Sequence, residues 1–268
     1  MDHDEVLALF VRQMRRGAPA DAPGARVERA DDLVRQVGAA GDDWNGVVWS
    51  DLDRATADEA IAAQVRYFTS RGRAFEWKLY AHDRPDDLAA RLRAAGFTPE
   101  DEETLMVAEI SGLPTGVELP EGVRLHPVTE PGDVDLVADV HEQAFGTSSA
   151  GLRNRLHAQL ARSPETVSMT VAMADGLPVC AARMELHPGT DFAGLWGGGT
   201  VAAWRGRGIY RALVAHRARI AADRGYRYLQ VDASSQSRPI LQRLGFVPLS
   251  TTTPYVYRPA TDQRATDQ

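Results

Sequence analysis

The run Thr200-Val-Ala-Ala-Trp-Arg-Gly-Arg-Gly-Ile-Tyr-Arg-Ala-Leu213 sets Arg205, Gly206, Arg207 and Gly208 directly ahead of Ile209, Leu213, His216 and Ile220, which recur at the spacing of one helix face. Glycine lets the backbone turn sharply and approach a ligand closely. The first N–H groups of a helix have no internal partner and sit at its positive end. These residue types in this order make an anion cradle suited to a phosphate or pyrophosphate. Arg205 and Arg207 lie in the turn where that charge would need neutralising. A glycine turn before a helix is also an ordinary connection, so the flanking elements have to decide.

Past the helix come Arg224-Gly225, a strand-like run from Tyr226 to Val231, and then Asp232-Ala-Ser-Ser-Gln-Ser237. A short helix follows, with Pro239 in its first turn and Gly245 after its last. This order resembles the GNAT superfamily of acyl-CoA-dependent N-acyltransferases, whose fourth strand leads into an Arg/Gln-x-x-Gly-x-Gly/Ala loop. Arg205-Gly-Arg-Gly208-Ile-Tyr210 is similar to that loop, with Tyr210 where the family has a small residue. Leu244-Gly245-Phe246 is similar to the close of the family's last helix. The resemblance covers roughly residues 123 to 257 and implies an α/β fold, an α+β mixed and mostly antiparallel sheet flanked by helices. It also implies acetyl-CoA, or another acyl-CoA, as cosubstrate, with backbone groups of Thr200 and Val201 on the pantetheine. The pyrophosphate would rest in the loop Arg205, Gly206, Arg207, Gly208, Ile209 and Tyr210, on the amides of Arg207, Gly208 and Tyr210. The glycines of Gly194-Leu-Trp-Gly-Gly-Gly-Thr-Val201 fit a bulged strand that splays from its neighbour to admit the pantetheine arm.

Acyl transfer to an amine needs a held thioester, a neutral amine, an oxyanion donor and a proton for the leaving thiolate. Glu185 is the first candidate for general base, with Asp191 and Asp232 beside it; an exposed strand carboxylate and a helix cap are their plain alternatives. Many GNAT enzymes carry a tyrosine as general acid four residues before the glycine of the last helix, and here that place is Leu241. Ser235, Ser237 and Tyr210 are the remaining candidates, and both serines equally suit helix capping. His126, His141, His157, His187 and His216 show no metal-ligand spacing, so no metal is expected. His216 fits the packed stripe, Arg217 and Arg219 a solvated face, and Cys180, between Val179 and Ala181, a buried thiol.

With 44% hydrophobic and 25% charged residues among 268, the chain is globular and long enough for one large or two small domains. One cysteine excludes an internal disulfide and fits a reducing cytoplasm. Neither a signal peptide nor a membrane span is expected. A net charge of −7 argues against broad nucleic-acid binding.

Helices are expected over Met1 to Arg16, Asp31 to Val37, Thr56 to Ser70 and Pro85 to Leu92, and strands at Gly46–Ser50, Ala74–Tyr80 and Glu103–Ala108. The series Arg71-Gly72, strand, helix, Gly96-Phe97, strand repeats the C-terminal series that runs from Arg224-Gly225 to Gly245-Phe246. Two GNAT-like units follow: a degenerate one over 1–112, a linker at 113–122, and a catalytic one over 123–258, with a disordered tail at 259–268. The first unit lacks the cradle, having Asp51, Asp53 and Asp58 and no glycine between its strand and helix. In the second, Asp175-Gly176 marks a hairpin. The expected activity is acyl transfer from acyl-CoA to a small-molecule amine. The alternatives are an aminoacyl-tRNA as acyl donor, or an acyl-CoA-binding protein without catalysis; oligomeric state is not encoded in any motif.

Overall fold

The computed structural model describes residues 1–39, 43–114, 116 and 118–259, so residues 260–268 of the expected tail and positions 115 and 117 of the expected linker lie outside it. Helix α1 (His3–Phe10) runs on as a π-helical turn, Val11–Arg16. There follow β1 (Arg26–Arg29), β2 (Leu33–Val37), β3 (Gly46–Ser50), α2 (Ala57–Thr69), β4 (Phe75–Tyr80), α3 (Leu88–Ala94), β5 (Thr98–Pro99) and β6 (Glu103–Glu109). Next come β7 (Val123–Pro127), α4 (Val134–Phe145), α5 (Ala150–Arg162), β8 (Val167–Ala174), β9 (Leu177–Leu186), β10 (Phe192–Thr200), α6 (Ile209–Asp223), β11 (Tyr228–Ala233), α7 (Arg238–Arg243) and β12 (Val247–Tyr257).

The helix expected over Asp31–Val37 is instead strand β2. It lies between β1 and β3, pairing Val37 with Arg26 and Leu33 with Ser50. Flanking strands satisfy its backbone on both edges, and Leu33, Val34 and Val37 are buried there, which outweighs a short helical pattern.

The chain divides into two compact units: Met1–Val6 with Leu105–Leu249, and Leu7–Thr104 with the residues from Ser250 onward. In the first, the strands run in the order β7-β8-β9-β10-β11-β6. Strands β7 to β10 pair antiparallel and β10 pairs parallel with β11, the crossover helix being α6. Asp175 (φ 50°) and Gly176 (φ 80°) make the turn between β8 and β9. One face of this sheet packs Met184, Leu186, Leu195 and Leu229 against Val214 and Ala218 of α6, with Met106 and Ala108 of β6 in the same core. The other face packs Val167, Met169 and Val171 against α4 and α5 through Val137, Val140 and Leu156.

In the second unit the order is β1-β2-β3-β4-β12. Strands β3 and β4 pair parallel, and β4 pairs antiparallel with β12 from Tyr80–Thr252 to Phe75–Tyr257. Its core sets Ile61 and Phe68 of α2 against Phe75, Trp77, Leu88, Leu92 and Tyr255. Arg15, fully buried, reaches Asp83 at 2.6 Å and the Val48 carbonyl at 3.0 Å, and so fastens the π-helical turn to the strands. Each unit therefore takes its closing strand from the other half of the sequence: β6 sits beside β11, and β12 beside β4.

Candidate functional site

Strand β10 pairs with β11 only at Phe192–Tyr228, Ala193–Leu229 and Gly194–Gln230, so the two strands part beyond Gly194. On its other edge β10 stays paired with β9 as far as Thr200–Cys180, with a bulge between Trp196 and Gly199 where Gly197 has φ 57°. The strand thus carries the bulge and the open edge expected of it. After a 3-10 turn at Ala202–Trp204, Gly206 (φ 74°) and Gly208 (φ 83°) adopt the left-handed conformation that L side chains avoid, and Gly208 caps α6. A Cβ at either glycine would meet nothing within 4 Å, so space lies open above the turn. The first amide of this segment to reach a helical carbonyl is that of Ala212, bonded to Gly208 at 3.0 Å; those of Ile209, Tyr210 and Arg211 precede it.

Arg205 braces this loop. Its Nε donates to the Thr200 carbonyl at 3.0 Å and its Nη2 to the Ala144 carbonyl at 3.1 Å, tying the turn to β10 and to the end of α4. The guanidinium of Arg207 lies over the Trp204 ring, 4.4 Å from its centre. Val201 donates its N–H to Val179 O at 2.9 Å and accepts from Trp204 N at 2.9 Å. Tyr210 packs its ring over Gly198, where a Cβ would lie 2.7 Å from it. The glycine on β10 is what accommodates a large residue at the loop's last position.

Arg217 corrects the expectation of a solvated face. It is 1% exposed, donating from Nε to Leu213 O and from Nη1 to Arg183 O, both at 3.1 Å, with the Tyr210 hydroxyl beside it. Helix α6 is buried over a broad arc, with Ala212, Val214 and Ala215 inside as well as Ile209 and Leu213, so the side that spacing marks as polar is covered too. Burial pushes the Tyr210 hydroxyl above its ordinary range. Cys180, as expected, is buried, with its Sγ 3.0 Å from Thr200 Oγ1.

The carboxylate candidates fall at different places. Glu185 pairs with Gly194, the last residue of β10 still joined to β11, so it stands where the strands part. Its side chain is 13% exposed and its Oε1 is 3.4 Å from Arg183 Nε. Asp232 lies half-buried on β11, two residues past Gln230. Asp191 stands at the opposite end of β10, where its carbonyl accepts the amides of Arg227 and Tyr228. Ser235 is exposed, whereas Ser237 makes no side-chain cap and its hydroxyl donates to the Ser234 carbonyl at 3.3 Å. Leu241 is fully buried in the α6-side core.

Sequence reasoning missed the neighbours of Glu185. A Cβ on Gly194 would lie 2.8 Å from Gln230 Nε2, 2.9 Å from Trp196 Nε1 and 3.6 Å from His187 Nε2, so three nitrogens converge over this bare backbone. Arg183 and Glu185 on β9 and His187 just past its end alternate, a pattern that reads as a solvated strand face; the structure buries Arg183 and half-buries Glu185 and His187. Burial holds His187 below the ordinary histidine range, with Glu185 opposing, and lowers the Arg183 guanidinium to about 10 despite Glu185.

In the other unit, the turn between β3 and α2 holds a carboxylate of the chain itself. Asp53 Oδ1 accepts the amides of Ala55 and Thr56 at 2.8 Å each and the Thr56 hydroxyl at 3.0 Å, and these bonds hold its carboxyl below the usual range. Among the described residues no group of three or more His, Cys, Asp or Glu could hold a metal, and no helix is long and apolar enough to cross a membrane.

No family model and no curated protein matches the sequence. Solved structures do. A GCN5-related N-acetyltransferase from Kribbella flavida superposes with a TM-score of 0.67 at 19% identity, over 95% of this chain and 93% of that one. Another from Sphaerobacter thermophilus gives 0.59 at 18%, over 88% and 84%. A tandem GNAT protein from the clavulanic acid biosynthesis pathway gives 0.60 at 15%, over 95% of each chain. At such identities the likeness is one of fold. The chain has the GNAT fold, a mixed open sheet flanked by helices, as the resemblance of its loop implied.

Proposed function

We propose that the protein is an acyl-CoA-dependent N-acyltransferase, with acetyl-CoA as donor and a small amine as acceptor. Residues 123–258 would carry the reaction, and residues 1–112 a degenerate copy whose cradle is filled by Asp53. The observation that carries the reading is the conjunction of a strand edge opening beyond Gly194 with an open glycine turn and free helix amides at Gly206–Arg211. Those amides would hold the pyrophosphate and the open edge of β10 the pantetheine. Because both backbone groups of Val201 are engaged within the protein, the edge before it, from Trp196 to Thr200, is the better placed.

In the reaction the amine nitrogen bonds to the thioester carbonyl carbon, the C–S bond breaks, and the thiolate leaves. Glu185, at the parting of the strands, takes the amine proton directly or through a water; Asp232 is the second carboxylate on that face. Helix α7 offers no acid, because Leu241 is packed inside, so the thiolate is protonated from solvent or by a neighbouring hydroxyl. That same buried leucine favours one other reading, an acyl-CoA-binding protein without turnover.

A thermal shift with acetyl-CoA, longer acyl-CoAs and free CoA tests this, beside a Gly208→Glu variant. Ligand at about a hundred times its dissociation constant adds roughly 2.7 kcal/mol, a rise of about 5 °C for a chain of this length. The native chain should show it and the variant should not. No shift with any CoA would refute the proposal and leave aminoacyl-tRNA as the donor to try. A shift without turnover on an amine panel would establish the non-catalytic reading.

A further inference from the structure

Arg183 has no task in the reaction above, yet it is a cation held 6% exposed in the same face of the sheet as Glu185. Among the described residues its side chain makes no hydrogen bond. Glu185 Oε1, 3.4 Å from its Nε, is the ion-pair partner, and the Trp196 ring lies 5.9 Å away. The other charged groups near it, Arg155 and His141, are cationic or can become so. A buried charge is tolerated when it is paired and its donors are satisfied. Arg217 sets Nε and Nη1 on two carbonyls and leaves only Nη2 over, whereas among the described residues Arg183 sets no nitrogen on a hydrogen-bond acceptor. Gln230, 5% exposed, likewise has its Oε1 without a hydrogen bond, while its Nε2 points over Gly194. Unpartnered polar atoms, the Arg183 donor and the Gln230 acceptor, therefore gather where β10 and β11 part, and the planar fork of a guanidinium matches a carboxylate in two parallel hydrogen bonds.

We infer that the acceptor is an amine that also bears a carboxylate, an amino acid or a close analogue, with Arg183 gripping the carboxylate and Gln230 assisting beside Glu185. The inference rests on the acyltransferase reading. Arg183 is then a specificity-determining residue, and its contact with Glu185 is what neutralises it while the acceptor is absent.

The test measures CoA release from acetyl-CoA with matched acceptors: a set of amino acids, the amide of each, and the amine left by removing the carboxyl group. Aminosugars and phosphorylated amines complete the panel. The wild type should give a KM at least tenfold lower for amino acids than for their neutral partners. Arg183→Met should abolish that preference, and Arg183→Lys, which keeps the charge without the fork, should recover only part of it. Acetyl-CoA-induced stabilisation of each variant shows that it is folded. If Arg183→Met does not fold, the lysine variant and the wild-type pairs decide. Equal KM across the pairs, faster use of neutral or phosphorylated amines, an unchanged preference in a folded variant, or no amino acid used at all would overturn the inference. With acetyl-CoA still stabilising the chain, those results leave the donor assignment standing; absence of that stabilisation removes the donor assignment first.

Discussion

Cys180 sits on the strand that leads the cradle strand through the sheet, fully buried, with its Sγ against Thr200 Oγ1 and its thiol pushed up to about 11 by burial. The thiolate is the reactive form. At pH 8 a thiol of that pKa is ionised to roughly one part in a thousand, and its surface is 0% exposed. Iodoacetamide should therefore leave Cys180 unmodified in the native protein at pH 8 and alkylate it only in denaturant, as read by intact mass. Rapid native labelling would contradict the burial and reopen the thiol as a reactive group. Its apolar neighbours already mark this burial in the sequence. Arg217 and Arg183 carry no such mark: nothing within a few residues of either says that an arginine there will be enclosed.

Helix α6 approaches β10 closely enough that Tyr210 occupies the volume a side chain at position 198 would need. The Arg-Gly-x-Gly loop can end in a tyrosine because Gly198 yields the space. Overpacking such a contact typically costs about 1–3 kcal/mol. Gly198→Val should destabilise the chain by that order in urea, and Tyr210→Ala in the same molecule should recover much of the loss. Two effects that simply add would show that the residues are not coupled. The glycine run and the helix period are readable along the chain, but which glycine faces which residue is fixed by the crossover that folds α6 back onto the sheet.

For the whole chain, the exchange of closing strands has a direct consequence. Residues 1–112 contain β6 but lack β12, whose Tyr255 is part of the core around Phe75 and Trp77. Residues 113–259 contain β12 but lack β6, whose Met106 and Ala108 belong to the core around α6. A cut in the linker strips each core and bares a strand edge prone to non-native pairing. Each piece expressed alone should aggregate or melt without a cooperative transition in circular dichroism, and coexpression should restore one transition. Independent cooperative folding of either piece would contradict the exchange.

The sequence by itself determined the features that lie within a short window: the glycine turn before α6, the Asp175-Gly176 hairpin, most helices and strands, and hence the GNAT fold. Such windows encode backbone preference and periodicity, which are local quantities. Only the tertiary structure decided that Asp31–Val37 is a strand, because its partners β1 and β3 lie outside the window. The same holds for the strands that close each sheet, and for Arg183, Glu185, Trp196 and Gln230, drawn from three strands to one place. Pairing and burial are made by residues far apart in the chain, and no local pattern records who the partner will be.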